Sequence, residues 1–217
     1  MGFDKIVLSR IDYKEKEIRK KNQTLEFIWK PFNQIDNVTT ELFTHIQYDS
    51  YCLPQQFSHL VDDKEIDLNE KELTELSAQF YETMKNISKS YNHNQVLFTY
   101  GCDFSFRKKS INFRNIEKIM NYFETSRKYK DMRLIYSTPS TYFKVIKSIQ
   151  SNWPIYKNQD FFPYAENPFS YWTGYYSSRP YLKGLVRDAG NYLRSTSNFI
   201  LESLLIDKVL NLTYYNF

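Results

Sequence analysis

Val96-Leu97-Phe98-Thr99-Tyr100-Gly101-Cys102-Asp103-Phe104 is the stretch on which the fold of this chain turns. Its first five residues form a compact apolar run suited to a buried strand, and Gly101 breaks that run just before a carboxylate. Upstream, Leu73, Leu76, Phe80, Met84, Ile87 and Tyr91 recur every three or four residues and predict an amphipathic helix. Downstream, Ile116, Ile119, Met120 and Phe123 predict a second helix, and Met132 to Tyr136 another strand. Thr138-Pro139 then opens a third helix with proline at its first position and the stripe Tyr142, Val145, Ile146 and Ile149. This alternation predicts an α/β fold: a mostly parallel sheet, or a portion of an irregular α/β barrel, covered by helices. Ligands then gather at the carboxyl ends of the strands.

Farther out, Ile6-Val7-Leu8-Ser9-Arg10 reads as a strand with an exit loop, and Thr24 to Trp29 and Leu42 to Ile46 as two more short strands. From Asn152 to Ser177 periodicity stops, and prolines, tryptophans and tyrosines predict an ordered aromatic loop. Pro180 opens a long helix with Leu182, Leu185, Val186, Ala189, Leu193, Ile200 and Leu204 on its apolar side. The expected division is an α/β domain over residues 1–170 and the beginning of an all-α domain over 171–217.

Composition narrows the function classes. With 41% hydrophobic and 25% charged residues the chain is globular rather than disordered. Five glycines in 217 residues argue against a Gly-rich phosphate cradle. A net charge of +4 is spread among acidic residues, so no nucleic-acid footprint emerges, and the run Arg19-Lys20-Lys21 reads as a solvated helix face. The 18% aromatic content suits sugar-binding faces, and equally an AT-rich coding sequence. Cys52 and Cys102 are too few for a zinc ribbon, and sequence alone leaves their pairing open. Sequons at Asn22, Asn37, Asn86 and Asn211 permit a secretory glycoprotein, although Met1-Gly2-Phe3-Asp4 begins no signal peptide. No apolar run approaches a membrane span of roughly 20 residues. His45, His59 and His93 form no metal-binding pattern, and no Gly-x-Ser-x-Gly elbow occurs.

Three places carry candidate chemistry. Asp103 follows a strand; buried among Tyr100, Phe104 and Phe106 it would gain proton affinity as a general acid requires, and otherwise it caps a loop or helix. Ser9-Arg10-Ile11-Asp12-Tyr13 ends another strand, where Arg10 suits a carboxylate or a sugar hydroxyl, or a structural ion pair. Trp172, on the aromatic loop, suits a sugar platform or a hydrophobic plug between domains.

Asp160-Phe161-Phe162-Pro163-Tyr164-Ala165, followed by Trp172-Thr173-Gly174-Tyr175-Tyr176-Ser177-Ser178-Arg179-Pro180, resembles the D-F-F-x-Y-A and W-[ST]-G-Y-[FY]-[ST]-S-R-P runs of glycoside hydrolase family 38, the class II α-mannosidases. Leu134 to Pro139 is similar to the L-Y-S-T-P of the lysosomal branch, and Gly101-Cys102-Asp103-Phe104 to G-[SD]-D-F, with cysteine at the second position. Leu42-Phe43-Thr44-His45 and Arg10-Ile11-Asp12-Tyr13 find counterparts in the same order. The resemblance implies a retaining mechanism with a carboxylate nucleophile and a carboxylic acid/base. It places the acid/base at Asp103, an arginine near the nucleophile at Arg10, a sugar-contacting tyrosine near Tyr51 and a pocket wall at Trp172. It also implies a mannose-containing oligosaccharide as substrate, zinc as cofactor in the full-length enzyme, and residence in the lysosome or secretory pathway.

The family's zinc ligands and nucleophile lie in H-x-D, D-P-F-G-H and H-D-x-x-x-G-T segments, and none of these occurs here. The expectation is therefore an internal piece of an α-mannosidase with no metal ligand of its own, inactive alone, in which Asp12 and Asp160 are the carboxylates to test if turnover is found. The alternative is a non-catalytic glycan-binding protein or pseudoenzyme with the same fold.

Overall fold

The computed structural model describes residues 3–32 and 41–214, the side chains of 109 and 210–214 excepted. The chain forms two compact units, Met1–Ser170 and Tyr171–Phe217.

The first unit is built on a sheet of β1 (Lys5–Leu8), β2 (Glu26–Lys30), β3 (Leu42–Ile46) and β4 (Ile155–Lys157), in the order β1-β3-β2-β4. β1 runs parallel to β3, β2 antiparallel to β3, and β4 parallel to β2. Alternate side chains of each strand go to opposite faces, and both faces are covered. Leu8, Phe27, Trp29 and Ile46 join a large core with Phe57, Phe80, Ile119 and Tyr129. Val7, Ile28 and Phe43 join a smaller one with Tyr142, Phe143, Ile146 and Trp153. The fold is α/β as the pattern predicts, with a mixed rather than uniformly parallel sheet.

Local chemistry starts the helices. α1 (Tyr13–Lys21) begins where Asp12 Oδ1 accepts from the Lys14 and Glu15 amides at 2.9 and 3.2 Å. α2 (Glu70–Ser88) has a capping box between Asn69 and Glu72. α3 (Lys109–Thr125) has no cap from its own Lys108 side chain; buried Asp63 accepts instead from the Lys108 amide at 3.1 Å and from Asn112 at 2.7 Å. α4 (Pro139–Ile149) is capped by Thr138 and begins on proline. The apolar stripes read from sequence supply the buried residues Leu76, Phe80, Met84 and Ile87 on α2, Ile116, Ile119 and Phe123 on α3, and Tyr142 and Ile146 on α4, whereas Val145 and Ile149 of the α4 stripe are exposed.

Two expected strands are not strands. Val96 to Tyr100 and Met132 to Tyr136 run without any sheet ladder among the described residues. Val96, Phe98 and Tyr100 pack on the large core while Leu97 packs on the smaller one, and Met132 and Leu134 also reach the large core. An alternating pattern thus satisfies burial through its side chains, without neighbouring backbone to pair with. The aperiodic segment conversely holds β4, a ribbon of β5 (Ala165–Asn167) and β6 (Ser170–Tyr171), and the short α5 (Thr173–Ser177). α6 (Pro180–Tyr214) is the predicted long helix, and its Leu182, Leu185, Val186, Leu193, Ile200 and Leu204 are exposed. The Asn22 and Asn86 sequons are exposed; Asn37 and the Asn211 side chain lie outside the described residues.

One correction concerns charge. Arg19 does not face solvent: it is buried, pairs with Glu15 at 2.8 Å, and stacks its guanidinium over Phe27 and Tyr156 at 4.2 and 4.6 Å from the ring centroids.

The smaller core contains a polar cluster. Glu26 on β2 lies directly opposite His45 on β3, and its Oε1 is 2.7 Å from His45 Nδ1. Its Oε2 is 2.6 Å from His93 Nε2, and Tyr142 donates to Oε1 at 2.8 Å. A carboxylate only accepts, so both imidazoles present N–H to it. Burial pushes the Glu26 carboxyl up, but the bonds from His45 and His93 outweigh it and bring the value down to about 2. A carboxyl held below its ordinary value stabilises the fold above that ordinary value, and the contribution is lost as pH falls through the folded value. Stability followed by thermal melting should therefore decline between about pH 4.5 and about pH 2, and Glu26→Gln should flatten that part of the profile. Glu26→Ala, which strands three donors, should cost roughly 3–5 kcal/mol at neutral pH in denaturant unfolding; a change below about 1 kcal/mol, within the range of an exposed ion pair, would show that the cluster is not structural.

Candidate active site

The parallel pairing of β1 with β3 decides where the site forms. Leu8 stands beside Ile46 at the carboxyl ends of the two strands, and the Gln47 amide donates to the Leu8 carbonyl at 2.8 Å. The two exit loops, Ser9–Asp12 and Tyr48–Leu53, therefore leave the sheet side by side.

Lys16, one turn into α1, ties them together. Its Nζ donates to the Ser9 carbonyl at 2.5 Å and the Asp49 carbonyl at 2.6 Å. Burial, followed by repulsion from Lys20, pulls its proton affinity down to about 8, against the opposing pull of Asp49. Next to this tie is a cavity of about 300 Å³, lined among others by Arg10, Lys16, Tyr51, Cys52, Tyr164 and Glu166. Burial and the Glu166 carboxylate raise the Tyr164 phenol above its ordinary value, so it serves as a neutral hydroxyl.

Three expected site residues meet here. Arg10 Nη2 donates to the Tyr51 hydroxyl at 3.4 Å, and the guanidinium lies 5.5 Å from the Tyr51 ring centroid. The Tyr51 hydroxyl lies 3.1 Å from each Asp103 oxygen and donates to that carboxylate. Asp103 reaches the cavity wall through this phenol. It is exposed rather than buried among Tyr100, Phe104 and Phe106: Phe104 is 88% exposed, while the Tyr100 ring turns inward and donates to the Leu60 carbonyl at 3.1 Å. The backbone explains the turn. Gly101 has φ +144°, which favours glycine, and a Cβ there would come within 2.9 Å of the Phe106 ring. Ser105 then closes the loop, its amide donating to the Cys102 carbonyl at 3.1 Å and its hydroxyl accepting from the Cys102 amide at 3.0 Å.

Trp172 belongs to the second unit, where its indole stands edge-on to Tyr175 at 6.3 Å. Asp12 is occupied as the α1 cap, and Asp160 accepts from the Phe162 amide at 3.0 Å in a local turn. Cys52 and Cys102, left open by the sequence, are joined in a disulfide. Lys16, Tyr164 and Glu166 were not singled out in the sequence as lining residues. The available signal for Lys16 was its helical spacing from Asp12 and Lys20, which puts it on the face toward the strand exits.

Such an arrangement can orient a carboxylate through a phenol and hold a polyol with cationic and hydroxyl donors. The described residues do not fit a zinc ion. Among the described residues no three His, Cys, Asp or Glu side chains are placed to hold a metal. The nearest approach to a ligand set, Glu26 with His45 and His93, directs its atoms at one another inside the core.

The glycosyl hydrolases family 38 N-terminal domain matches residues 1–167. The chain is 32% identical over 207 residues to lysosomal alpha-mannosidase of Dictyostelium discoideum, which covers 94% of this chain. It is 31% identical to the Bos taurus and 30% identical to the Homo sapiens lysosomal alpha-mannosidase, each covering 89% of the chain. The chain spans 20% of the length of each of these three relatives. The motif resemblance and the match over residues 1–167 concur, and the chain belongs to glycosyl hydrolase family 38.

Proposed function

We propose that this chain supplies the acid/base part of a retaining α-mannosidase that removes terminal α-linked mannose from N-glycan-derived oligosaccharides. The observation that carries the reading is the Arg10–Tyr51–Asp103 chain of hydrogen bonds beside a cavity at the carboxyl ends of β1 and β3. In this reading Asp103 protonates the departing glycosidic oxygen and then activates water for the second step. Tyr51 aims that carboxyl group and Arg10 favours negative charge nearby, while for Trp172 the family resemblance implies a sugar-facing role. The sugar's hydroxyls match the cavity's donors and acceptors. The Cys52–Cys102 disulfide supports a lysosomal or secretory location, where such bonds persist.

A retaining mechanism needs a second carboxyl group about 5–5.5 Å from the first. In this proposal the nucleophile and the zinc ligands are not residues of this chain, because the motifs that carry them in the family do not occur in it; Asp12 and Asp160 accept from backbone amides. The purified chain should release no aglycone from an aryl α-mannoside, with or without zinc. Turnover by it that disappears on Asp103→Asn would overturn this part of the reading. Joined to segments bearing the H-x-D, D-P-F-G-H and H-D-x-x-x-G-T motifs, residues 1–217 should support zinc-dependent hydrolysis. In that form Asp103→Asn should lower kcat roughly 10²–10⁴-fold. Tyr51→Phe should lower it about tenfold, the equivalent of ~1.4 kcal/mol. An unimpaired Asp103→Asn enzyme would remove Asp103 from the acid/base role. Oligosaccharide binding without turnover in every form would favour the glycan-binding alternative.

A further inference from the structure

Cys52 and Cys102 are the chain neighbours of Tyr51 and Asp103, and they are bonded to each other across 50 residues of sequence. One covalent bond thus joins the backbone immediately beside the phenol to the backbone immediately beside the carboxylate. Cys52 also lines the cavity, and Cys102 is exposed, so the bond is accessible to a small reductant. We propose that the Cys52–Cys102 disulfide is a redox-sensitive positioning element for Asp103, holding the Tyr51 hydroxyl against the carboxylate only while the bond is intact. The positioning role rests on the reading of Asp103 and Tyr51 as site residues.

The energetics favour this role. The Tyr51–Asp103 hydrogen bonds are exposed, and water competes for both partners. The small net gain left to a solvent-competed bond cannot by itself hold two loops in one geometry against their conformational entropy. Other direct ties among the described residues are the Leu53 amide donating to the Gly101 carbonyl at 2.8 Å and the Thr99 hydroxyl donating to the Tyr51 carbonyl. Both fix main chain and neither reaches the Asp103 side of Cys102. The disulfide does, and it keeps the effective concentration of phenol at carboxylate high. A dithiol such as dithiothreitol would deliver two electrons and two protons, cleave the S–S bond to two thiols and itself become a cyclic disulfide. Asp103 would then move with its loop away from the Tyr51 hydroxyl, while the sheet and the Glu26 cluster remain in place.

The test reads the phenol directly and needs no catalytic turnover. In the 217-residue chain with tyrosine labelled at Cζ, Tyr51 is assigned by Tyr51→Phe. Asp103→Asn should shift the Tyr51 resonance in the oxidised chain and lose most of that effect after dithiothreitol. The same loss should appear in Cys52→Ser/Cys102→Ser, while Tyr142, deep in the core, keeps its position. A disulfide that merely stabilises the fold would leave the Tyr51 response to Asp103→Asn unchanged in the reduced, folded chain, and that result overturns the proposal. Collapse of the Tyr142 resonance together with that of Tyr51 on reduction also counts against it, because the bond would then be supporting the whole unit. Absence of any response in the oxidised chain would reject the phenol–carboxylate coupling itself. Failure of mannoside hydrolysis in the longer protein, with the NMR coupling intact, would reject the catalytic reading and leave the clamp standing.

Discussion

Glu26 is a buried carboxylate with three donors aimed at it, and the rest of the first unit follows from where that cluster can form. His45 reaches it from the adjacent strand, His93 from the segment after α2, and Tyr142 from α4. Strand side chains alternate between faces, so shifting β2 by one residue against β3 would send Glu26 into the large hydrophobic core beside Phe57 and Phe80. An unpaired carboxylate there would cost several kcal/mol, far more than any apolar contact it could gain. The cluster therefore selects one register. Stacking of the His45 ring on Tyr91, whose hydroxyl donates to the Ile46 carbonyl at 3.0 Å, fixes the end of β3 as well.

Once the end of β3 is fixed, so is the site. β1 completes the parallel pair, and both chains leave the sheet at the same edge with Arg10 on one loop and Tyr51 on the other. The loops would otherwise diverge, since hairpin-like pairing is not available to strands that point the same way. Lys16 holds their carbonyls with a single ammonium group, and the disulfide adds the third loop, which bears Asp103. A main-chain carbonyl pair, a charged amine and a covalent bond thus do for three exposed loops what hydrophobic burial does for the interior. This division is expected where polar side chains must stay accessible to a hydrated ligand.

The sequence revealed what depends on local periodicity and hid what depends on partners distant in the chain. The helices were legible because Leu76, Phe80, Met84 and Ile87 repeat with the turn of a helix, whereas the capping box of Asn69 with Glu72 went unread. β3 was legible for the same local reason. Val96 to Tyr100 showed the compact apolar run of a buried strand, but such a run reports only that side chains are buried; a ladder also needs a neighbour, which no local pattern encodes. β4 was lost because three residues are too few to show a period. At the site, Arg10 and Asp103 were visible through motifs, whereas the bond between Cys52 and Cys102 required the fold to bring them together. The sequence left open whether Asp103 is buried among its aromatic neighbours or caps a loop. Positive φ at Gly101, Phe104 and Phe106 turns the loop so that the carboxylate faces out, a backbone property that residue types alone do not specify.

The lysine-rich first helix shows how phase converts one composition into several functions. Its cap at Asp12 sets the rotation, and each later residue inherits a direction from it. Glu15 and Arg19, four apart, face the sheet, where the guanidinium enters an aromatic box of Phe27, Tyr156 and Phe161 and donates to the Thr24 carbonyl at 3.2 Å. Lys16 and Lys20, also four apart, face the strand exits: one holds the two carbonyls, and the other pairs with Asp49 at 2.7 Å and lies over Tyr48. Lys14, Glu17 and Lys21 are left to solvent. The apolar Ile18 is itself 60% exposed while the charged Arg19 is buried, which reverses the usual amphipathic order. The reversal is physically reasonable because a guanidinium is planar, weakly hydrated and able to stack while its edges remain hydrogen-bonded, and the aromatic residues in the box supply faces rather than hydrocarbon edges. Part of the chain's high aromatic content is thereby accounted for by the seating of one cation against the sheet.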